Sequence, residues 1–186
     1  MANPSRLWDD FFGPSNVYTG PRLTDVMVAG VETTLGYRLP QSYLRLLRVK
    51  NGGVPKRPCY PTAGTTWSDN HVCLTTLCGI GGRWGIDSEE LGSRHAISQA
   101  GFPEVGIFFG WTPTAGHDGF MLDYSECGPQ GEPRVIFVDP EEIDGGVQVL
   151  APDFETFLQR LTDCRPYDEA TKRAMDEYSK RMQGKT

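Results

Sequence analysis

Apolar residues recur at helical spacing near both ends of this chain and at strand spacing between them. The clearest helical stretch follows Leu23. Thr24 can cap a helix, and Val28, Val31 and Leu35 fall on one of its faces. Gly36 supplies a left-handed stop. Pro40 suits a first helical turn, and Tyr43, Leu44, Leu46 and Leu47 give the next helix its buried stripe. Asn51-Gly52-Gly53 ends that helix, because asparagine and glycine accept the backbone angles of a tight exit. The pattern predicts helices over 24–35 and 40–50. Ahead of them, Leu7, Trp8, Phe11 and Phe12 predict a short docking helix, followed by turns at Gly13-Pro14-Ser15-Asn16 and Gly20-Pro21.

From Lys56 the period changes. Val72, Leu74 and Leu77 predict a strand before Gly79, and Gly81-Gly82-Arg83-Trp84-Gly85-Ile86 reads as a loop. Ser88 is the expected cap of a short helix starting at Glu89 and Glu90, whose carboxylates suit a helix start. Stronger strands are predicted from Val105 to Trp111, Gly119 to Tyr124 and Arg134 to Val138. The links Thr112 to Asp118 and Ser125 to Pro133 are short and turn-rich, which favours antiparallel neighbours. Asp153 can then cap a helix with Phe154, Phe157, Leu158 and Leu161 on its apolar face. A last helix is expected from about Asp168 to Met182, with acid-before-base pairs Glu169/Arg173, Asp176/Lys180 and Glu177/Arg181 and a thin apolar stripe. The fold class that follows is α+β: a twisted, mainly antiparallel sheet carrying helices from the N- and C-terminal segments.

Composition narrows the function classes. Hydrophobic residues make up 38% and charged residues 23%, as in a folded soluble domain rather than a disordered one. No apolar run approaches the roughly 20 residues of a membrane span. Met1 to Asp10 lack a basic start followed by an apolar block, so the expected location is cytoplasmic. Net charge is −6 and uneven: residues 1–60 balance at +4, residues 61–130 at −6 and residues 131–186 at −4. An acidic middle disfavours nucleic acid, which needs Lys and Arg, and suits a basic protein partner.

Five cysteines without regular spacing predict no disulfide framework, and no Cys-x-x-Cys pair suggests structural zinc. His71, Cys73 and Cys78 are close in sequence, but packing alone explains buried thiols, so no metal is expected. Gly79-Ile80-Gly81-Gly82 lacks the Gly-Lys-Ser/Thr ending of a phosphate loop and the dinucleotide spacing, so no cofactor is expected. Ser68, Ser88 and Ser125 have no nucleophile elbow, and His71, His95 and His117 have no evident serine or cysteine partner.

His117-Asp118 with Asp123 is the most site-like cluster, since a histidine beside carboxylates can act as a base. Adjacent residues diverge on a strand, so a turn with Asp118 bonding backbone amides is the plainer expectation. Asp87, Glu89 and Glu90 follow Trp84 on a glycine-rich loop, and Trp111 likewise adjoins turn residues. Rigid aromatics on turns make good anchors for a partner. Trp8 and Trp67 read as core residues, and Asp139, Glu141, Glu142 and Asp144 as a solvated loop.

The string Glu32-x-x-Leu35-Gly36-x-x-Leu39-Pro40-x-x-Tyr43-x-x-Leu46, closing on Asn51-Gly52-Gly53, resembles the opening of the SMI1/KNR4 (SUKH) superfamily. Gly116 to Tyr124 and Gly131 to Asp139 are similar to the strand pair of many members, and Phe154 to Leu161 to their final helix. The resemblance covers most of residues 5–162 and implies a domain over 1–165; the last helix, less typical of the family, makes 166–186 a helical extension. It also implies a bacterial immunity protein, not an enzyme, whose partner is a cognate protein toxin, possibly a nuclease, held inactive by occlusion of its active site. The expected contacts are Trp84, Asp87, Glu89, Glu90, Trp111, His117 and Asp118. Alternatives are a regulatory scaffold of the same fold, or a hydrolase using His117, Asp118 and Asp123.

Overall fold

The Thr24 hydroxyl accepts the Met27 amide proton and starts helix α1, Asp25–Leu35. Gly36, at φ 82°, stops it, and its N–H bonds the Glu32 carbonyl. The Glu32 carboxylate then reaches past the turn and accepts the Leu39 N–H at 2.8 Å. This bond sets the angle at which α2, Gln41–Val49, leaves. These contacts come from a computed structural model, which describes residues 8–65, 68–114, 116–142 and 146–169.

After α2 the chain forms a small hairpin, β1 (Cys59–Pro61) with β2 (His71–Cys73), and then a five-stranded antiparallel sheet. That sheet runs β3 (Thr76–Leu77), β4 (Gly106–Trp111), β5 (Gly119–Asp123), β6 (Arg134–Val138) and β7 (Val147–Ala151), in spatial as in chain order. Helix α3 (Ser93–Gln99) lies between β3 and β4 in sequence, and α4 (Phe154–Arg160) follows β7. Thus the α+β, mainly antiparallel architecture expected from the sequence is the one observed.

Strand alternation divides the core. On one face Phe109, Phe120 and Phe137 meet Tyr43 of α2 and Phe154 and Phe157 of α4, ring against ring at 5.1–6.3 Å. The other face presents Phe108, which packs on Phe102 just after α3, while the Ser93 hydroxyl accepts the Phe108 N–H. A bulge between Phe108 and Gly110 lets Phe108 and Trp111 share that second face. The cover ends before the edge, where Val147 and Val149 of β7 are each 51% exposed.

Asn51, 3% exposed, ties three segments together. Its amide nitrogen donates to the Pro21 and Ile80 carbonyls at 2.6 and 2.7 Å, and its amide oxygen accepts the Ile80 N–H at 2.8 Å. Its backbone carbonyl accepts the Gly20 N–H. The backbones come so close that a Cβ on Gly79 would lie 2.4 Å from that carbonyl oxygen. Gly52, at φ 88°, also abuts Gly79.

Several expectations are corrected. The helix expected at Glu89 and Glu90 begins instead at Ser93, because residues 89–91 form a turn and the Ser88 hydroxyl accepts the Leu91 N–H. The stretch around Val72 and Leu77 is two short strands rather than one. Cys59 and Cys164 form a disulfide across 105 residues, with Cα atoms 5.2 Å apart. Residues 165–169 are helical, while most of the helix expected to Met182 lies outside the described residues.

Two stability outcomes follow. Asn51→Ala would leave the Ile80 amide and two carbonyls unpaired in a buried place, lowering unfolding free energy in urea by about 2–3 kcal/mol. A loss under about 0.5 kcal/mol would be that of an ordinary surface change and would contradict the role given to Asn51. Reducing Cys59–Cys164 opens a loop long enough that about 2–4 kcal/mol should be lost, read by the same titration with and without reductant.

Candidate partner-binding surface

The glycine-rich loop after β3 is held from inside. The Ile86 N–H bonds the Gly79 carbonyl at 2.9 Å, and the Ser93 N–H bonds the Ile86 carbonyl at 2.8 Å. Asp87, although exposed, turns one carboxylate oxygen inward to accept the Gly81 N–H at 2.7 Å. On this frame Trp84 is half-buried, edge-on to Tyr18 at 4.8 Å, with the Arg83 guanidinium 5.7 Å from its ring centre. Glu89 and Glu90 stand exposed in the turn that follows. Trp84, Glu89 and Glu90 therefore offer a rigid aromatic with two solvated carboxylates, and Asp87 is a loop staple.

Trp111, His117 and Asp118 lie elsewhere. Thr76 pairs with Trp111, Leu77 with Gly110, and the Cys78 N–H bonds the Phe109 carbonyl. The chain thus runs along β4 away from Trp111 before the glycine-rich loop emerges. Trp111 is half-buried, edge-on to Phe108 at 4.8 Å, with its indole turned toward the buried Cys78 thiol. His117 is exposed and pairs with Glu141 at 2.6 Å, which raises its pKa. Asp118 is only 3% exposed and accepts hydrogen bonds from the Thr112 and Thr114 hydroxyls rather than from the backbone amides expected for it. It offers a partner little surface.

His117, Asp118 and Asp123 do not converge. Asp118 precedes β5 and Asp123 ends it, which separates them by roughly 17 Å of strand. Asp123 is buried against Arg134 Nε at 2.7 Å and accepts the Ser125 N–H at 2.8 Å. Burial raises its pKa, but the bonds from Ser125 and Arg134 outweigh that and hold it below the usual carboxylate range. For Asp118 burial wins over the threonine bonds, and its pKa is raised.

Nor do His71, Cys73 and Cys78 gather. Cys78 is fully buried, and burial pushes its thiol up to about 12. His71 Nδ1 lies 2.8 Å from Asn70 Oδ1 and 3.1 Å from Ser68 Oγ. A proton on Nδ1 serving the Asn70 oxygen cannot also leave that nitrogen free to take the Ser68 proton. Instead Cys73 faces the disulfide, and its sulfur, Cys59 Sγ and Cys164 Sγ lie within 4.8 Å of one another. Burial, with Asp168 adding to it, pushes the Cys73 thiol up to about 11, so it stays protonated at neutral pH. A separation of 105 residues left no local signal for this group.

A groove of about 640 Å³ runs beside β7, between Thr65 and Gln148, with Asp139 and Glu142 in its wall. Trp67 and Asp144 lie outside the described residues.

The two buried aspartates should respond oppositely to neutralisation. Folding disfavours the ionised form of Asp118, so its contribution improves as pH falls through its raised pKa. Asp123 contributes fully above the ordinary carboxylate range, and that contribution is lost as pH falls through its lowered pKa. At neutral pH Asp118→Asn should be neutral or stabilising by up to about 1 kcal/mol, whereas Asp123→Asn should cost about 1–3 kcal/mol. Urea titrations at neutral pH and at about pH 3 should show the Asp123→Asn penalty shrinking in acid; equal penalties for both variants would contradict this assignment.

No helix among the described residues is long and apolar enough to cross a membrane. No curated protein matches the chain. The model of the SMI1 / KNR4 family (SUKH-1) matches residues 22–160, from just ahead of α1 to the last residue of α4. That family is known for immunity-type, partner-binding proteins. The match takes in α1 and α2, linked by the Glu32 contact, and the whole five-stranded sheet, and the chain belongs to the SMI1/KNR4 (SUKH-1) family.

Proposed function

We propose that this protein is a bacterial immunity protein that captures a cognate toxin and blocks its active site without turning over a substrate. Family membership over residues 22–160 carries the reading. The geometry supports it through Trp84, an aromatic fixed on a braced loop, with Glu89 and Glu90 exposed in the turn that follows it in sequence. A rigid anchor loses little conformational freedom on binding, and it slows release once seated in a pocket. The acidic balance of residues 61–130 speeds encounter with a basic cleft, which is what a nuclease presents to its phosphate substrate. The cytoplasm is where such a protein meets an incoming toxin. The separation of Asp118 from Asp123 removes the support for a hydrolase using His117, Asp118 and Asp123.

The test uses, as candidate partner, a toxin-like protein encoded by a neighbour of this protein's gene. The pair should co-purify, and Trp84→Ala should weaken the complex by about 2 kcal/mol, roughly 30-fold in Kd. Glu89→Gln with Glu90→Gln should slow association several-fold at low ionic strength, with the difference fading as salt rises. Asp87 is left intact because it holds Gly81. Unchanged Kd and unchanged association rate in these variants would exclude this surface, and absence of any complex would overturn the function.

A further inference from the structure

Cys59 and Cys73 are register partners across the β1–β2 hairpin. The Leu74 N–H bonds the Pro58 carbonyl, and the Thr62 N–H bonds the Asn70 carbonyl. By alternation the Cys59–Cys73 pair occupies the position without mutual backbone bonds, where antiparallel Cα atoms stand about 4.5 Å apart and side chains are closest. The remaining backbone groups of Cys59 bond Thr162 instead, at 3.1 and 2.7 Å. That pairing delivers Cys164 to the same side of the hairpin. Three sulfurs from three segments therefore lie within 4.8 Å of one another.

A crosslink between Cys59 and Cys164 needs no third thiol beside it. A thiophilic cation does. Zinc holds thiolates at about 2.3 Å, which in a tetrahedron puts the sulfurs about 3.8 Å apart. Two of these sulfurs are bonded to each other, and the Cys73 sulfur lies within 4.8 Å of both; once the bond is reduced the pair has only to part to reach that spacing, and all three sulfurs sit on chain segments held by backbone bonds. His71 is two residues from Cys73 on the same side of β2, stacked on Tyr167 at 4.4 Å.

We propose that, when the Cys59–Cys164 bond is reduced, the thiolates of Cys59, Cys73 and Cys164 bind one zinc-class divalent cation, with the fourth position open to water. Binding releases the thiol protons to solvent and changes no oxidation state. Disulfide and metal are alternative uses of the same sulfurs, so oxidised protein is the control.

The experiment titrates Co²⁺ into the full chain, reduced under anaerobic conditions, and follows thiolate-to-cobalt charge transfer and the tetrahedral d–d bands. One equivalent should bind and be displaced by Zn²⁺, and oxidised protein should give no band. Cys73→Ser leaves the crosslinking pair intact, and in its reduced form should bind more weakly by more than the roughly 10–100-fold that loss of an outer-sphere partner costs. As a second readout, one equivalent of Zn²⁺ should raise the Tm of reduced wild type above its value with chelator. Failure of reduced wild type to bind, equal binding by Cys73→Ser, the same band from oxidised protein, or an unchanged Tm would each overturn the proposal.

Discussion

The Asn51 carboxamide is the constraint on which the rest of this structure depends. It is buried, yet its donors and its acceptor are used, on Pro21 and Ile80. A buried amide satisfied in this way holds its partners, because any other arrangement leaves polar atoms without water or protein. It fixes where α2 ends, where the N-terminal segment crosses and where the glycine-rich loop begins. Only glycine at position 79 lets the backbones approach closely enough. Trp84 is rigid because the loop beneath it is pinned here at one end and by Asp87 and Ser93 further on.

The aromatic core fits this frame. Tyr43 lies at 0% exposure between Phe109 and Phe154, and its hydroxyl donates to the Cys78 carbonyl at 2.7 Å. One side chain thus packs α2 on α4 and bonds the chain just before the glycine-rich loop. Helices from both ends of the chain cover one face of the sheet, and α3 covers part of the other. The polar groups that looked chemical in the sequence mostly hold this frame: Asp118 staples the β4–β5 turn, and Asp123 neutralises Arg134.

Much of the frame was legible in the residues. Thr24, Gly36 and Asp153 act locally, within a turn of their helices, and each does what its position predicts. The strands from Gly106, Gly119 and Arg134 carry long apolar runs between turn residues, and they formed as read. By contrast, β7 was missed because Val147 and Val149 sit on a half-exposed edge and bury too little to stand out. β1 is three residues long and owes its order to partners far along the chain. Glu89 and Glu90 suited a helix start by chemistry, but the Ile86 carbonyl bonds the Ser93 N–H and sets the start there. The candidate site was legible only as residue types: Trp84 beside carboxylates could be read, while the inward turn of Asp87 and the burial of Asp118 depend on neighbours that spacing does not reveal.

Capture by a preformed surface differs from catalysis in stoichiometry. The central claim is tested most directly by titrating a fixed amount of the cognate toxin with this protein and measuring the toxin's residual activity. Capture predicts a linear fall to zero at one equivalent, with activity returning when the complex is dissociated. Complete inactivation by a small fraction of an equivalent, persisting after separation, would mean that the protein acts by turnover and would contradict the account.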